Sequence, residues 1–200
     1  MRDKPTTDGA RSAARRRPDR AGDAAPPPLQ NTPEAFQTQL LEGQYNELRV
    51  ALFYMLCGFH TRIGFDGKRY DITLLRPGDA TTRRIEVKWD KRAADSGNAY
   101  FEVENTRQRE ASGVMSTTAD VWAHVIGDGQ RAWLAPVPAL RQMLADGDFR
   151  SVHTRGADSN SRGLLLPLTA MPAVKPFAWV RLPTVEDFFG EIYRAGKSAG

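Results

Sequence analysis

The sequence predicts an α/β domain in which a mixed β-sheet is flanked by helices, and three observations predict it. Apolar residues from Phe36 to Met55 recur at helical spacing. The runs 70–75 and 84–89, joined by Arg76-Pro77-Gly78-Asp79, read as a β-hairpin. Further strand-like runs alternate with helical ones up to a last helix start at Thr184. Two hundred residues give room for one domain with a proper core.

Met1 to about Gln30 is poor in large apolar residues and contains Arg15-Arg16-Arg17 and Pro26-Pro27-Pro28. Such a segment cannot bury enough surface to order itself. It is expected to be a disordered basic tail over 1–31, with 32–200 forming a single domain. Met1 to Pro33 carries seven Lys or Arg against four Asp, or +3 of the chain's net +4, which leaves +1 for the remainder. A nearly neutral body does not suit a strong nonspecific polyanion binder, although a local basic groove fits that balance. The tail reads as a solvated leader, with a flexible arm on phosphates as the competing reading.

Asp3, Asp8, Asp19 and Asp23 argue against a transit peptide, and the start lacks the apolar core of a signal peptide. No stretch is long enough to span a membrane, so a cytoplasmic protein is expected. Cys57 is the only cysteine, which excludes an intrachain disulfide and a thiolate zinc cluster and fits a reducing compartment. It follows the apolar run Ala51 to Leu56 and is expected to be a buried structural thiol.

Thr32-Pro33-Glu34 starts the first helix, with Thr32 as N-cap. Phe36, Leu40, Leu48, Leu52 and Met55 carry its apolar stripe to Gly58, which fits a C-terminal cap, and Gly43 is a candidate break into two helices. Phe59 to Phe65 is the first strand and turns at Asp66-Gly67. In the hairpin that follows, Ile72, Leu74, Ile85, Val87 and Trp89 point to one face. That face is core and the other is free for chemistry.

After a polar loop, Ala99 to Glu104 is a strand on which Asn98, Tyr100, Glu102 and Glu104 share a face. Val121 to Ile126 and Arg131 to Ala135 form a second hairpin around Gly127-Asp128-Gly129, with Trp122 and Trp133 as core anchors. Pro138 to Ala145 is a short helix, 157–161 a loop, Gly163 to Pro167 a buried strand and Phe177 to Leu182 another. Thr184 opens a last helix carrying Phe188 and Ile192. His60, His124 and His153 lack ligand spacing, and His124, inside an apolar strand, needs a hydrogen-bond partner. There is no phosphate-binding glycine loop or dinucleotide fingerprint, so ATP use is not indicated.

The chemistry centres on the first hairpin. A turn centred between Gly78 and Asp79 sets Asp71 opposite Glu86 and Arg69 opposite Lys88. Alternation then leaves Glu86 and Lys88 on one face, roughly 6 to 7 Å apart, with Asp71 roughly 5 Å from Glu86. Opposed carboxylates destabilise a sheet unless a cation lies between them. Hard oxygen ligands completed by water suit Mg²⁺ beside a phosphate. Such an ion activates water for in-line displacement, and Lys88 can hold the pentavalent phosphate as a point charge. The residues point to hydrolysis of nucleic acid.

Asp71, fourteen intervening residues and then Glu86-Val87-Lys88 resemble the PD-(D/E)xK nuclease superfamily, with Tyr70 in place of the family's proline. The order Glu-x-Lys, Gly-Asn-x-x-x-Glu, Ser-Gly, Thr-Ala-Asp, over about Gln44 to Ile126, resembles small phage- and mobile-element-type members. The resemblance implies a restriction-endonuclease-like fold of αβββαβ type and a Mg²⁺-dependent deoxyribonuclease, with Mn²⁺ able to substitute. It implies an endonuclease rather than an exonuclease, structure-selective or accessory in role, and compatible with a homodimer. Asp71, Glu86, Lys88 and Glu47 become the catalytic set, with Glu47 reaching in from the first helix. Asp71, Glu86 and Val87 become the metal contacts, and Asn98 and Glu102 stand beside the metal or on its substrate side. Asp90 is read as a loop solvation group, and Thr117, Thr118 and Asp120 as a turn that holds backbone amides. The competing class is a nuclease fold that binds DNA or a protein without cutting, and RNA is a third option.

Overall fold

The computed structural model describes residues 33–64, 70–155 and 160–185. The expectations for the basic tail and its boundary at 31, for Asp66-Gly67, for Arg69, for most of the 157–161 loop and for Phe188 and Ile192 lie outside them. Helix α1 (Pro33–Leu56) is continuous through Gly43. A glycine costs a helix interior about 1 kcal/mol, but it removes no hydrogen bond, and the expected break does not occur. The helix stops at Gly58, whose φ of 85° is the left-handed conformation of a helix cap, with the Phe59 amide donating back to the Tyr54 carbonyl at 3.0 Å.

Strands β1 (His60–Ile63), β2 (Ile72–Leu75) and β3 (Thr82–Asp90) form an antiparallel meander. The chain then makes a short helix α2 (Ala93–Ser96), strand β4 (Asn98–Asn105), strand β5 (Glu110–Ala111) and a 3-10 turn over Gly113–Met115. It returns as β6 (Val121–Ile126), which lies parallel to β3, and β7 (Arg131–Pro136), antiparallel to β6. Helix α3 (Val137–Asp146), β8 (Arg150–Arg155), β9 (Asn160–Pro167) and β10 (Ala178–Arg181) follow.

The result is a mixed six-stranded sheet, ordered β1-β2-β3-β6-β7-β10, as the α/β reading expects. The departure is a second, antiparallel sheet, ordered β5-β4-β9-β8. It means that the connection from β3 to β6 contains strands and only the four-residue α2, so the αβββαβ order holds along the chain without a long crossover helix.

Each face of the main sheet has its own core. On one, Val50 and Ala51 of α1 pack with Ile72, Leu74, Ile85, Ala123, Val125 and Ala132. On the other, Trp122 and Trp133 meet Phe101 and Leu166 of the second sheet and Leu140 of α3. Phe101 lies between them, with ring centroids 6.3 Å from Trp122, 6.2 Å from Trp133 and 4.6 Å from His124. The face opposite Ile85 is therefore half core rather than wholly open.

The apolar stripe of α1 is shorter than its spacing suggests. Leu52 is buried, whereas Leu40 is 51% and Met55 47% exposed, because the sheet supports only part of the helix. Cys57 is also exposed rather than buried, since it lies in the turn beyond the last helical residue. No helix among the described residues is long and apolar enough to cross a membrane.

Candidate active site

The β2–β3 register is the one expected from the turn, with Ile72 opposite Ile85, Thr73 opposite Arg84 and Leu75 opposite Thr82. The ladder ends at Ile72, so Asp71 stands one residue beyond it, at the level of Glu86. There the chain bends. The Asp71 amide donates to the Ile85 carbonyl at 2.8 Å, and the Asp71 carbonyl accepts the Gly64 amide at 2.8 Å. Its carboxylate then reaches across to β3, where Oδ2 accepts the Val87 amide at 2.6 Å. Asp71 is thus fixed by main chain and side chain together.

Three carboxylates share this region. Burial raises Glu86 to about 7, reinforced by the charge of Asp71 and opposed by a hydrogen bond from Thr117 and the charge of Lys88. Burial likewise raises Glu47 to about 7, with Asp71 and then Glu86 adding to it. Asp71 is raised by burial, against the Val87 amide and Lys88. Glu47, on α1, and the two hairpin carboxylates therefore feel one another, and Lys88, exposed on β3, acts on both hairpin acids. Among the described residues no three His, Cys, Asp or Glu side chains converge into a ready-made metal cage. Asp71 and Glu86 are the residues that could serve a hard cation of the kind held by one or two carboxylates, with water and phosphate completing its shell.

The loop after the 3-10 turn supplies a contact that sequence reasoning missed. Thr117 Oγ1 donates to Glu86 Oε2 at 3.2 Å and accepts the Ala119 amide at 3.1 Å. The second contact is the expected turn role; the first points at the site. A threonine two residues before a small residue suggests a side-chain turn, but nothing in the local sequence names a partner 31 positions away. Asp120 holds an amide as expected, with Oδ2 accepting the Arg84 amide at 2.7 Å, and it pairs with the Arg84 guanidinium at 3.3 Å.

Other residues drawn to the site by sequence do different work. Asp90 Oδ2 accepts the Tyr100 amide at 2.8 Å and lies 3.5 Å from His124 Nε2, while Oδ1 accepts the Arg92 amide at 3.2 Å. Burial raises its carboxyl, but the neighbouring His124 imidazole and the hydrogen bond from the Tyr100 amide outweigh that and hold it low. His124 finds its partner in Trp122, whose indole N–H donates to Nδ1 at 3.1 Å. Asn98 turns back on its own segment, donating through Nδ2 to the Ser96 carbonyl at 2.7 Å. Glu102 alternates with the buried Phe101 and Val103, whose side chains enter the core facing the main sheet. Asn98 is therefore taken up by a local turn, and Glu102 is half-buried on β4, beside the irregularity in the β4–β9 pairing between Glu102 and Glu104.

No family model matches the chain, and no curated protein matches it. Among solved structures, the chain is similar to a bacterial homing endonuclease, I-Ssp6803I, at 15% sequence identity and a TM-score of 0.44, over 80% of this chain and 97% of that one.

Proposed function

We propose that this protein is a Mg²⁺-dependent nuclease that hydrolyses phosphodiester bonds of DNA, as a structure-selective or accessory endonuclease. One observation carries the reading: Asp71 and Glu86, with Glu47 within reach of their charge, crowd beside Lys88 at the end of a hairpin. In the metal-free protein these acids are held above their ordinary range, and a divalent cation relieves that crowding. The donor set fits Mg²⁺, with Asp71 and Glu86 supplying carboxylate oxygens and Val87 a main-chain carbonyl. When bound, the ion supplies positive charge where the scissile phosphate becomes more anionic.

The chain's own residues account for the rest. The Val87 amide fixes Asp71, so its carboxylate is oriented before substrate arrives. Lys88 Nζ supplies a compact positive charge to a phosphate oxygen. A carboxyl that titrates near neutrality is matched to accept a proton from the attacking water, and Glu47 is assigned that role. The choice of DNA rests on the motif order from Glu86 to Asp120.

The test is a panel of supercoiled, linear, single-stranded, flap and four-way-junction DNA, with a matching RNA, incubated in Mg²⁺, Mn²⁺ or EDTA. Cleavage of DNA in either metal and none in EDTA is expected. Tight DNA binding without cleavage in any metal would favour the noncutting binder.

A further inference from the structure

We propose that Thr117 is a positioning residue for Glu86, which fixes that carboxylate in the orientation the nuclease site uses. The proposal rests on the nuclease reading and extends it to a residue on a different segment. Thr117 is 7% exposed, and its hydroxyl has both a proton to give and an amide to receive: it donates to Glu86 Oε2 at 3.2 Å and accepts Ala119 N–H at 3.1 Å. The amide contact helps set the direction of the hydroxyl oxygen, which lies within hydrogen-bond distance of the carboxylate.

The loop behind it is braced. Arg141 of α3 donates through Nη2 to the Thr117 carbonyl at 2.7 Å and through Nε to the Val114 carbonyl at 2.9 Å, while the Thr117 amide bonds the Gly113 carbonyl at 3.1 Å. A threonine held at its amide, carbonyl and hydroxyl cannot follow a carboxylate that swings; the carboxylate must follow it.

Thr117→Val removes the hydroxyl at nearly constant volume, and Thr117→Ser restores it. In calorimetric titration with Mg²⁺ alone, Thr117→Val should bind about tenfold more weakly, the scale of one lost hydrogen bond to a charged group. Its kcat on plasmid DNA should fall by a similar factor with KM for DNA little changed, and Thr117→Ser should recover most of both. If Thr117→Val does not fold, the comparison of Thr117→Ala with Thr117→Ser takes its place. Equal Mg²⁺ affinity and kcat in wild type and Thr117→Val, or a Thr117→Ser as impaired as Thr117→Val, would overturn the proposal while leaving the nuclease reading intact. A wild type that neither binds Mg²⁺ nor cuts would remove the nuclease reading and the proposal with it.

Discussion

The main-chain amide of Val87 is bonded to the carboxylate of Asp71 at 2.6 Å, at a level of the sheet where β2 has not yet begun. A side chain takes the place of a missing strand partner, so one residue closes the hairpin and opens the site.

Asp71→Ala and Asp71→Asn should therefore differ in stability while agreeing in activity. Alanine leaves the part-buried Val87 N–H without an acceptor, at a cost of about 1–3 kcal/mol. Asparagine keeps an acceptor and removes one of the crowded charges, so it should be at least as stable as wild type. Urea denaturation measures the difference, and both variants should lose Mg²⁺-dependent cleavage. Equal stability of the two would contradict the role given to the Val87 bond.

Glu86 and Glu47 each rise from 4.5 to about 7, chiefly through burial. Between those values the folded chain retains protons that the unfolded chain has released, so this pair makes the metal-free protein less stable as pH rises from about 4.5 to about 7, with no further loss above. His124, held neutral by burial, works in the opposite sense below 6.5, so the reading comes from comparison with Glu86→Gln at each pH. In EDTA, wild type should lose Tm relative to Glu86→Gln between pH 5 and 8. Mg²⁺ should raise the Tm of wild type more at pH 8 than at pH 6, because its ligands must shed their protons. A wild type that gains on Glu86→Gln with rising pH in EDTA would show that the acids are not crowded.

Lys88→Ala should fold normally and keep Mg²⁺ affinity within a few-fold. Its single-turnover rate should fall on the order of a hundredfold, the usual effect of removing a positioned charge at a developing oxyanion. A variant that cuts at the wild-type rate would remove Lys88 from the mechanism.

Gly113→Ala tests the loop that carries Thr117. Gly113 has φ 52°, and a Cβ there would collide with the carbonyl oxygen of Glu102. The left-handed backbone alone costs a non-glycine residue roughly 1–2 kcal/mol. A lower Tm together with reduced cleavage is expected; an unchanged Tm would mean that the loop yields freely.

Local information was enough for much of this fold. The turn centred between Gly78 and Asp79 set the β2–β3 register, and Gly127-Asp128-Gly129 marked the β6–β7 hairpin, because in both cases the partner strand is the next one along the chain. The second sheet was not legible for the converse reason: β4 pairs with β9 more than fifty residues later. Strand β8 was missed because Arg150, Ser151, His153 and Thr154 are exposed and leave no apolar alternation to read. At the site, Asp71, Glu86 and Lys88 announced themselves by charge on adjacent strands. Thr117 did not, since a threonine in a turn looks alike whether or not a carboxylate lies across from it.

Asp71 and Glu86 are proposed to hold a catalytic cation. Mg²⁺-dependent cleavage of supercoiled plasmid by wild type and Glu86→Gln, each with calorimetry for Mg²⁺, tests it most directly. Wild type should cleave in a manner that EDTA abolishes, and a folded Glu86→Gln should lose both Mg²⁺ binding and at least about a hundredfold in rate. A Glu86→Gln that binds Mg²⁺ and cuts as wild type does would contradict it.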